Sequence, residues 1–315
     1  MQVNKHLLNG GKFMKFKKLA SIFLVSALFI TGCSNSDTNG GNKGRDGDKN
    51  AQVEEVDVVA ATVSATQVLD KLDANVIGIP TTKMPLPEKF KGLPEVGQSM
   101  SPDLEIVASL KPDIFVMDSM FKDSVEKSMK EYDLNTFYFE TGTYTEFIAS
   151  IEKLGQEINK EKEAINIIKE LKKIEDQAKS KNKNGKAPTV AIIFGGGENF
   201  MLATETSYLG DLVKTIGGEN ITNKLEGDME SDYVQFSLEQ ILEQNPDYVL
   251  RFAHGNIEET KKSFDDAFDK NPAYKELDAY KNGKIIDLDP AIFNVSANLS
   301  VKEAITTLGN ILYGK

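Results

Sequence analysis

The sequence has few of the residues on which metal clusters and many catalytic sites depend. Its 315 residues include one cysteine, two histidines and no tryptophan, and arginine occurs only as Arg45 and Arg251. A single cysteine excludes an intramolecular disulfide and any site built from several cysteine ligands. Two histidines exclude a multi-histidine metal cage. Because nucleic-acid binding requires clustered Lys and Arg, a net charge of −11 leads us to expect no nucleic-acid partner.

The sequence begins with the features of an export signal. A lysine-rich stretch at residues 15–18 precedes a largely apolar run at residues 19–30. That run is too short to span a membrane but has the length of a signal-peptide core. It ends in Ile30-Thr31-Gly32-Cys33, which resembles the bacterial lipobox, whose cysteine is lipidated. We therefore predict a signal peptide over residues 1–32 and a lipid anchor on Cys33, against the alternative of an ordinary cysteine beside a cleaved signal.

Cleavage before Cys33 changes the composition of the mature chain. Residues 1–32 carry five lysines, His6 and no acidic residue, so their removal takes the net charge from −11 to −16 and leaves His254 as the only histidine. Residues 33–54 are rich in Gly, Asn, Asp and Ser and contain almost no apolar residue. Such a composition predicts a flexible tether that holds the protein on the outer face of the cytoplasmic membrane.

From residue 55 onward, two segments show the same alternation of apolar runs and amphipathic stretches. The runs cover residues 56–61, 76–79, 114–117 and 136–139, and then 189–194, 201–203, 248–252 and 284–288. Strands that alternate with helices predict an α/β fold with largely parallel sheets. Between the segments, residues 161–183 have apolar positions every three or four residues and no Gly or Pro, which predicts one long helix. We expect an N-terminal lobe at 55–158, a connecting helix at 159–185 and a C-terminal lobe at 186–315.

A short pattern occurs once in each segment. Leu-Glu at residues 104–105 precedes Pro-Asp at 112–113, and Leu-Glu at 238–239 precedes Pro-Asp at 246–247. Glutamate favours the first turn of a helix and Pro-Asp favours a turn, so local structure alone explains either copy. Matching copies in corresponding places indicate two structurally related lobes.

Several motifs, together with the signal and the tether, resemble a transport family. They are VAATV at 59–63, GIPTT at 78–82, GQSMSPDLE at 97–105, YLGDLVK at 208–214 and RFAHG at 251–255. Over residues 55–315 the chain resembles the helical-backbone (class III) substrate-binding proteins of ABC transporters, which carry haem, iron–siderophore complexes or cobalamin. Within that class it is similar to the haem-receptor lipoproteins of the iron-regulated surface determinant (Isd) systems of Gram-positive bacteria.

The resemblance implies a ligand and a set of partners. One haem b would lie between the lobes, its iron held by Met100 and His254, and would be delivered to an ABC permease for iron acquisition. Glu105 and Glu239 would engage basic residues of that permease. Cell-wall proteins that relay haem are a further class of partner, and we expect a monomer without enzymatic activity.

The chemistry of the two iron ligands agrees with this expectation. His254 follows an apolar strand, and ligands bind at the carboxyl ends of strands in open α/β sheets. Imidazole suits iron, and a His/Met pair leaves no open position for oxygen chemistry. Met100 lies in a polar loop just before Pro102, which we expect to open a helix. Met84 is the better alternative to Met100 as an iron ligand, and Met120 is another. Met117 is predicted to be a core residue.

Other residues are candidates for contacts with the rest of the porphyrin. Hydroxyl groups and helix N-terminal N–H groups after the strands could receive the propionates, and these candidates are Thr62, Val63, Ser64, Thr81 and Thr82. Their alternative role is helix capping. Tyr208, Phe293 and Phe200 could stack on the ring, or could serve only in packing.

The alternative functions are an iron–siderophore-binding lipoprotein of an ABC transporter and an enzyme. A siderophore-binding protein usually recognises its anionic ligand with clustered positive charge, preferably Arg, and the folded part contains only Arg251. The enzyme alternative is weaker, since the glycine run at 195–197 lacks the phosphate-loop spacing and favours a tight turn, and no G-x-S-x-G motif occurs. A Ser/Asp/His site assembled from distant residues stays open.

Overall fold

The computed structural model describes residues 55–197, 199–227 and 229–314. The predicted signal peptide, Cys33 and the tether at 33–54 lie outside these residues. The described chain has an α/β architecture with two separate main sheets, and a long helix lies between them in the sequence. No described helix is both long enough and apolar enough to cross a membrane.

The first part of the chain forms a parallel four-stranded sheet flanked by helices. The sheet order is β2-β1-β5-β6, and every pairing is parallel. A separate two-stranded antiparallel hairpin, β3–β4, follows β2. The elements are β1 (Asp57–Ala60), α1 (Val63–Lys71), β2 (Asn75–Gly78), β3 (Gly97–Gln98), β4 (Ser101–Pro102), α2 (Leu104–Leu110), β5 (Ile114–Asp118), α3 (Lys122–Glu131), β6 (Thr136–Phe139) and α4 (Tyr144–Glu157).

The second part forms a mixed sheet. Its order is β10-β8-β7-β11-β12, with β9 beside β7. The pairs β7–β11, β11–β12 and β7–β9 are parallel, whereas β8 joins antiparallel to both β7 and β10. The elements are β7 (Thr189–Gly196), β8 (Asn199–Ala203), α6 (Tyr208–Thr215), β9 (Glu219–Asn220), β10 (Tyr233–Val234), α7 (Leu238–Gln244), β11 (Tyr248–Ala253), α8 (Ile257–Lys270), α9 (Asp278–Lys281), β12 (Ile285–Asp287) and α10 (Val301–Tyr313).

A single helix, α5 (Glu161–Lys179), lies between the two halves. It packs against α4 on one side and α10 on the other. Its buried positions, Ala164, Ile167, Leu171 and Ala178, follow the apolar spacing of the sequence. On α10, a Cβ on Gly309 would lie 2.8 Å from the Cβ of Ala178, so glycine permits this close approach.

Helix α5 ends four residues before the position that the apolar pattern suggested. Lys179 is its last residue, and the chain then turns at 181–186. The Asn182 side chain stabilises this turn, because it accepts from Gly185 N at 3.0 Å and donates to the Lys186 carbonyl at 3.1 Å. Asparagine competes with a helix through such local hydrogen bonds.

The repeated Leu-Glu and Pro-Asp pattern corresponds to one structural unit in each half. In both copies a seven-residue helix ends on a residue in the left-handed conformation, with φ of 52° and 39°. The aspartate of the Pro-Asp turn then accepts a hydrogen bond from the first residue of the adjacent strand, β1 in the first half and β7 in the second. Asp113 Oδ2 accepts from Asp57 N at 2.8 Å, and Asp247 Oδ2 accepts from Thr189 N at 2.9 Å. The pattern is therefore a structural unit used twice.

Polar contacts join the two halves directly. The buried carboxylate of Asp211 on α6 accepts from Thr145 N at 2.9 Å and from its hydroxyl at 3.0 Å. The Ala297 N–H donates to the Thr141 carbonyl at 2.7 Å. These bonds, with the packing of α5, tie the two sheets together without a strand that passes from one to the other.

Candidate functional site

The first group of candidate residues lies at the start of α1, directly after β1. Thr62 is the N-cap residue, and its hydroxyl oxygen accepts from Ala65 N at 3.2 Å. The same hydroxyl donates to the Asp118 carboxylate at 2.8 Å, and the Ser64 hydroxyl donates to it at 3.1 Å. Asp118 is the buried last residue of β5. Burial raises the pKa of its carboxyl group, and the hydrogen bonds from Thr62 and Ser64 offset part of that rise.

These hydrogen bonds change how the start of α1 can receive an anion. The hydroxyl protons of Thr62 and Ser64 are already donated to a carboxylate, so the donors that remain there are backbone N–H groups of the first helical turn. Asp118 was not among the sequence candidates. An acidic residue that ends an apolar strand, at the edge where ligands bind, was the signal that could have identified it.

Thr81 and Thr82 follow β2 and help to position neighbouring loops. The Thr81 N–H donates to the Gly97 carbonyl at 2.8 Å and so joins this segment to the β3–β4 hairpin. The Thr82 hydroxyl accepts from Met84 N at 3.0 Å. Both residues therefore have local structural roles, and a propionate contact for either stays a prediction.

Met100 lies in the two-residue turn between β3 and β4. Its side chain is 72% exposed, so the thioether contributes little to the core. Gly97 opens the hairpin with φ of +90°, and a Cβ there would lie 2.8 Å from Asp103 N. The prediction that Pro102 opens a helix is wrong: Pro102 belongs to β4, and α2 begins at Leu104 with Asp103 as its N-cap.

The rival methionines differ in their accessibility. Met117 is fully buried in β5, as predicted for a core residue. Met84 and Met120 are exposed, like Met100. All three of these methionines are therefore accessible from solvent.

His254 follows the last residue of β11 and is exposed. The backbone N–H of His254 donates to the Gly195 carbonyl at 2.9 Å, which extends the pairing of β11 with β7. The imidazole centroid lies 6.1 Å from the ring of Phe194 and 6.4 Å from that of Phe252. Phe194 also packs on Tyr233 at 4.5 Å. We call the half-buried rings of Phe194 and Tyr233 the aromatic wall, because Phe252 is 1% exposed and belongs to the core.

The aromatic wall was missed by sequence reasoning. Phe194 lies on β7 and Tyr233 on β10, the two strands that flank β8, and their rings meet across β8. The local sequence pattern does not encode this strand order. Burial, with the charge of Asp232, raises the pKa of Tyr233 to about 12, so its phenol stays neutral at physiological pH. The wall is therefore an uncharged aromatic surface beside an imidazole.

The aromatic residues singled out from the sequence lie elsewhere. Tyr208 and Phe293 are 2% and 1% exposed and belong to the main core cluster. Phe200 stacks on Phe264 at 4.7 Å, within the cluster on the other face of the second sheet. Burial thus favours the packing role for Tyr208 and Phe293 over contact with a ligand.

A cleft of about 900 Å³ brings some of the candidates together. Val63, Ser64 and Met84 line one side of it, and residues between 290 and 303 line the other. Met100 and His254 do not line this cleft. Within the described part of the chain, no group of three or more His, Cys, Asp or Glu residues could hold a bare metal ion.

Arg251 has its charge neutralised inside the protein. Its Nε and Nη2 donate to the two carboxylate oxygens of Asp287 at 2.5 and 2.7 Å, and Nη2 also donates to Asp265 at 2.8 Å. Burial lowers the pKa of the guanidinium, but the hydrogen bonds and charges of Asp287 and Asp265 outweigh it and raise the pKa. The only arginine of the predicted folded part is thus unavailable to an anionic siderophore.

The two candidate docking residues occupy equivalent positions. Glu105 and Glu239 are each the second residue of a seven-residue helix, α2 and α7, and both side chains are exposed. Each helix leads through its Pro-Asp turn into a parallel strand, so the helix runs antiparallel to that strand. Both glutamates therefore lie toward the carboxyl edge of their sheets, the edge at which His254 lies.

Comparisons with known proteins agree with this architecture. The profile of the family described as periplasmic binding protein matches residues 58–292. The high-affinity haem uptake system protein IsdE of Staphylococcus aureus is 32% identical over 301 residues, which cover 95% of this chain and 99% of IsdE. The crystal structure of S. aureus IsdE complexed with haem superposes with a TM-score of 0.68 at 33% identity, covering 82% of this chain and 99% of that one.

A second solved structure is similar over the same region. An ABC transporter substrate-binding protein from Listeria monocytogenes superposes with a TM-score of 0.73 at 34% identity, covering 83% of this chain and all of that one. The matched profile covers well over half of the present chain, and the relatives are matched over nearly their full length. With two α/β halves and a long helix between them, the chain belongs to the periplasmic binding protein family.

Proposed function

We propose that this protein is the substrate-binding component of an ABC transporter and that its cargo is haem b, one molecule per chain. The observation that carries the proposal is the placement of an exposed thioether and an exposed imidazole. Met100 lies at the tip of a hairpin in the first half, and His254 lies at the carboxyl end of β11 in the second half. The name of S. aureus IsdE and its complex with haem support the same ligand.

The side chains of Met100 and His254 would be a donor set that suits haem iron. Neutral imidazole binds iron through nitrogen, and methionine supplies a soft thioether to the opposite axial position. A protein that fills both axial positions leaves no site for oxygen activation and raises the reduction potential of the haem. That chemistry fits a carrier that protects its cargo.

Other candidate residues would supply the remaining contacts. The aromatic wall would give the porphyrin face an apolar surface beside His254. In the first half, the first-turn N–H groups at Val63 and Ser64, with the hydroxyls of Thr81 and Thr82, would receive the propionates. Thr62 holds this helix start in place through Asp118.

The proposed cellular setting rests on the predicted lipid anchor and on the paired glutamates. Lipidation of Cys33 would anchor the protein outside the cytoplasmic membrane, with residues 34–54 as the tether. Glu105 and Glu239 would dock onto basic residues of the permease, because like charges at equivalent places of two lobes suit a two-fold partner. Cell-wall relay proteins would deliver the haem to a monomeric receptor.

Absorption spectroscopy of the purified protein titrated with haemin tests the proposal. We expect a sharp low-spin Soret band at one haem per chain, lost or strongly shifted in both Met100→Ala and His254→Ala. Met120→Ala is the matched control, since Met120 is a comparably exposed methionine of the same half and should leave the spectrum unchanged. Absence of stoichiometric haem binding, with tight binding of a ferric siderophore, would replace this proposal with the siderophore alternative.

A further inference from the structure

A second cavity, far from His254, has a basic lining. It measures about 320 Å³ and lies where α5, β7, β11 and α10 meet at their ends. Its lining contains Lys181, Lys183, Lys186 and Lys284 but only one carboxylate, that of Asp247. We call it the lysine cavity. The described lining thus carries a formal charge of +3, in a chain whose net charge is −11.

The charges of this cavity are available to a ligand. Among the described residues, none of the four lysines forms an ion pair with a carboxylate. Lys181 donates to a side-chain amide on α10, and Lys284 lies 4.4 Å from the centre of the Tyr248 ring. The Asp247 carboxylate is already engaged by the N–H and the hydroxyl of Thr189, at 2.9 and 3.1 Å.

The loop that carries three of these lysines has a defined conformation. Asn182 bridges Gly185 and Lys186 through its side-chain amide, as described for the end of α5. The turn therefore presents Lys181, Lys183 and Lys186 from a fixed backbone, which lowers the entropic cost of gathering them around one anion.

The lysine cavity lies at the opposite end of the second sheet from His254. Three residues of its lining come directly before strands of this sheet: Pro188 before β7, Asp247 before β11 and Lys284 before β12. His254, in contrast, follows the end of β11. A six-residue strand separates these ends by about 20 Å. Glu105 and Glu239 lie on the His254 side, so a receptor docked through them, as proposed above, turns the lysine cavity away from the membrane.

We infer that the lysine cavity binds phosphate groups of a polyanionic chain on the outward side of the anchored protein; this orientation rests on the proposed docking. Lysine is a compact point charge suited to phosphate, and the volume holds about one phosphate group with several waters. A membrane surface is disfavoured, because interfacial sites combine basic residues with exposed large apolar side chains. The exposed large apolar residues of the described chain are Met84, Met100, Ile106, Met120, Tyr132, Ile165 and Tyr280, none of which lines the cavity.

Binding of inorganic polyphosphate to the full chain, followed by calorimetry at several salt concentrations, tests this inference. The cavity variant replaces Lys181, Lys183, Lys186 and Lys284 with Gln. The matched control replaces Lys162, Lys169, Lys172 and Lys173, exposed on α5 and outside any described ion pair, with Gln, so the net charge changes equally. We expect the cavity variant to bind at least about tenfold more weakly with a shallower salt dependence, since phosphate contacts through Lys release counterions. The control should change by no more than about twofold, as scattered charges outside the contact contribute little.

Three results would overturn the inference. They are undetectable binding to the wild-type chain, equal weakening in both variants, or binding to phosphatidylglycerol vesicles without binding to polyphosphate. A haemin titration of the cavity variant separates this site from the proposed function. Unchanged haem binding together with lost polyphosphate binding supports two independent sites, whereas haem binding lost in the cavity variant and retained in the control would refute that independence. Failure of the wild-type chain to bind haem would refute the proposed function and leave the polyphosphate result to be judged by itself.

Discussion

Replacement of Arg251 by Met should destabilise the protein without weakening haem binding. In the structure the buried guanidinium makes three charge-assisted hydrogen bonds and lies 5.4 and 5.2 Å from the rings of Phe264 and Phe268. Each such bond contributes about 1.5–3 kcal/mol when the partners stay buried. Here the Asp287 and Asp265 side chains are 37% and 63% exposed and regain water when the arginine is removed.

Because the two aspartates regain water and Met still packs against the two rings, we expect the loss of stability to lie at the lower end of what these hydrogen bonds could contribute. We expect the free energy of unfolding to fall by about 1–3 kcal/mol, below the 3–5 kcal/mol typical when a fully buried ion pair loses one partner. Urea denaturation followed by circular dichroism measures the loss, and a haemin titration measures affinity. Lys270→Met is the control, because it breaks an exposed ion pair on α8 and should cost less than about 1 kcal/mol.

An unchanged free energy of unfolding in Arg251→Met would contradict this prediction. The prediction would also be refuted if the variant lost haem affinity while its stability stayed intact, since Arg251 would then act on the ligand. If instead the wild-type chain bound a ferric siderophore and Arg251→Met abolished that binding, the argument that Arg251 is unavailable would be wrong.

Three further perturbations test other parts of the structure. Asp118→Asn should raise the melting temperature at neutral pH and change it little near pH 4. The folded protein raises the pKa of Asp118, so ionisation of this carboxyl group removes stability as the pH rises from the ordinary Asp range through the raised pKa. A difference that shrank toward neutral pH in thermal scans would contradict this sign. Gly97→Ala, whose Cβ would meet Asp103 N at 2.8 Å, should cost about 1–3 kcal/mol and weaken the low-spin haem spectrum by displacing the Met100 hairpin. Thr145→Val removes a hydroxyl donor from the buried Asp211 carboxylate and should cost about 1.5–3 kcal/mol in urea denaturation, and a cost near zero would mean that this contact does not hold the two halves together.

Features that depend on neighbours along the chain could be predicted from the sequence. Alternating apolar runs predicted both sheets, and the apolar spacing at 161–183 predicted the helix between them, because strand and helix periods are local properties. Structural similarity to substrate-binding proteins confirms the predicted fold class. The paired Leu-Glu and Pro-Asp pattern likewise corresponds to one helix, one turn and one strand in each half.

The candidate site was predictable only in part. His254 at a strand end and Met100 in a polar loop could be placed from the sequence, since both positions follow from the nearest strand. Their ligation of iron stays a prediction. Burial of Tyr208 favours the packing role that the sequence left open, and its contact with haem stays a prediction, whereas Phe194 lies beside His254 across paired strands.

The sequence by itself determined the order of helices and strands, the repeated unit and the scarcity of cysteine, histidine and arginine. Tertiary structure alone decided which charges and hydroxyls remain available. Asp118 reaches Thr62 across 56 residues of sequence, and Arg251 reaches Asp287 across 36. The physical reason is that a hydrogen bond or an ion pair depends on which strands lie side by side, whereas the helix and strand periods depend only on the spacing of apolar residues along the chain.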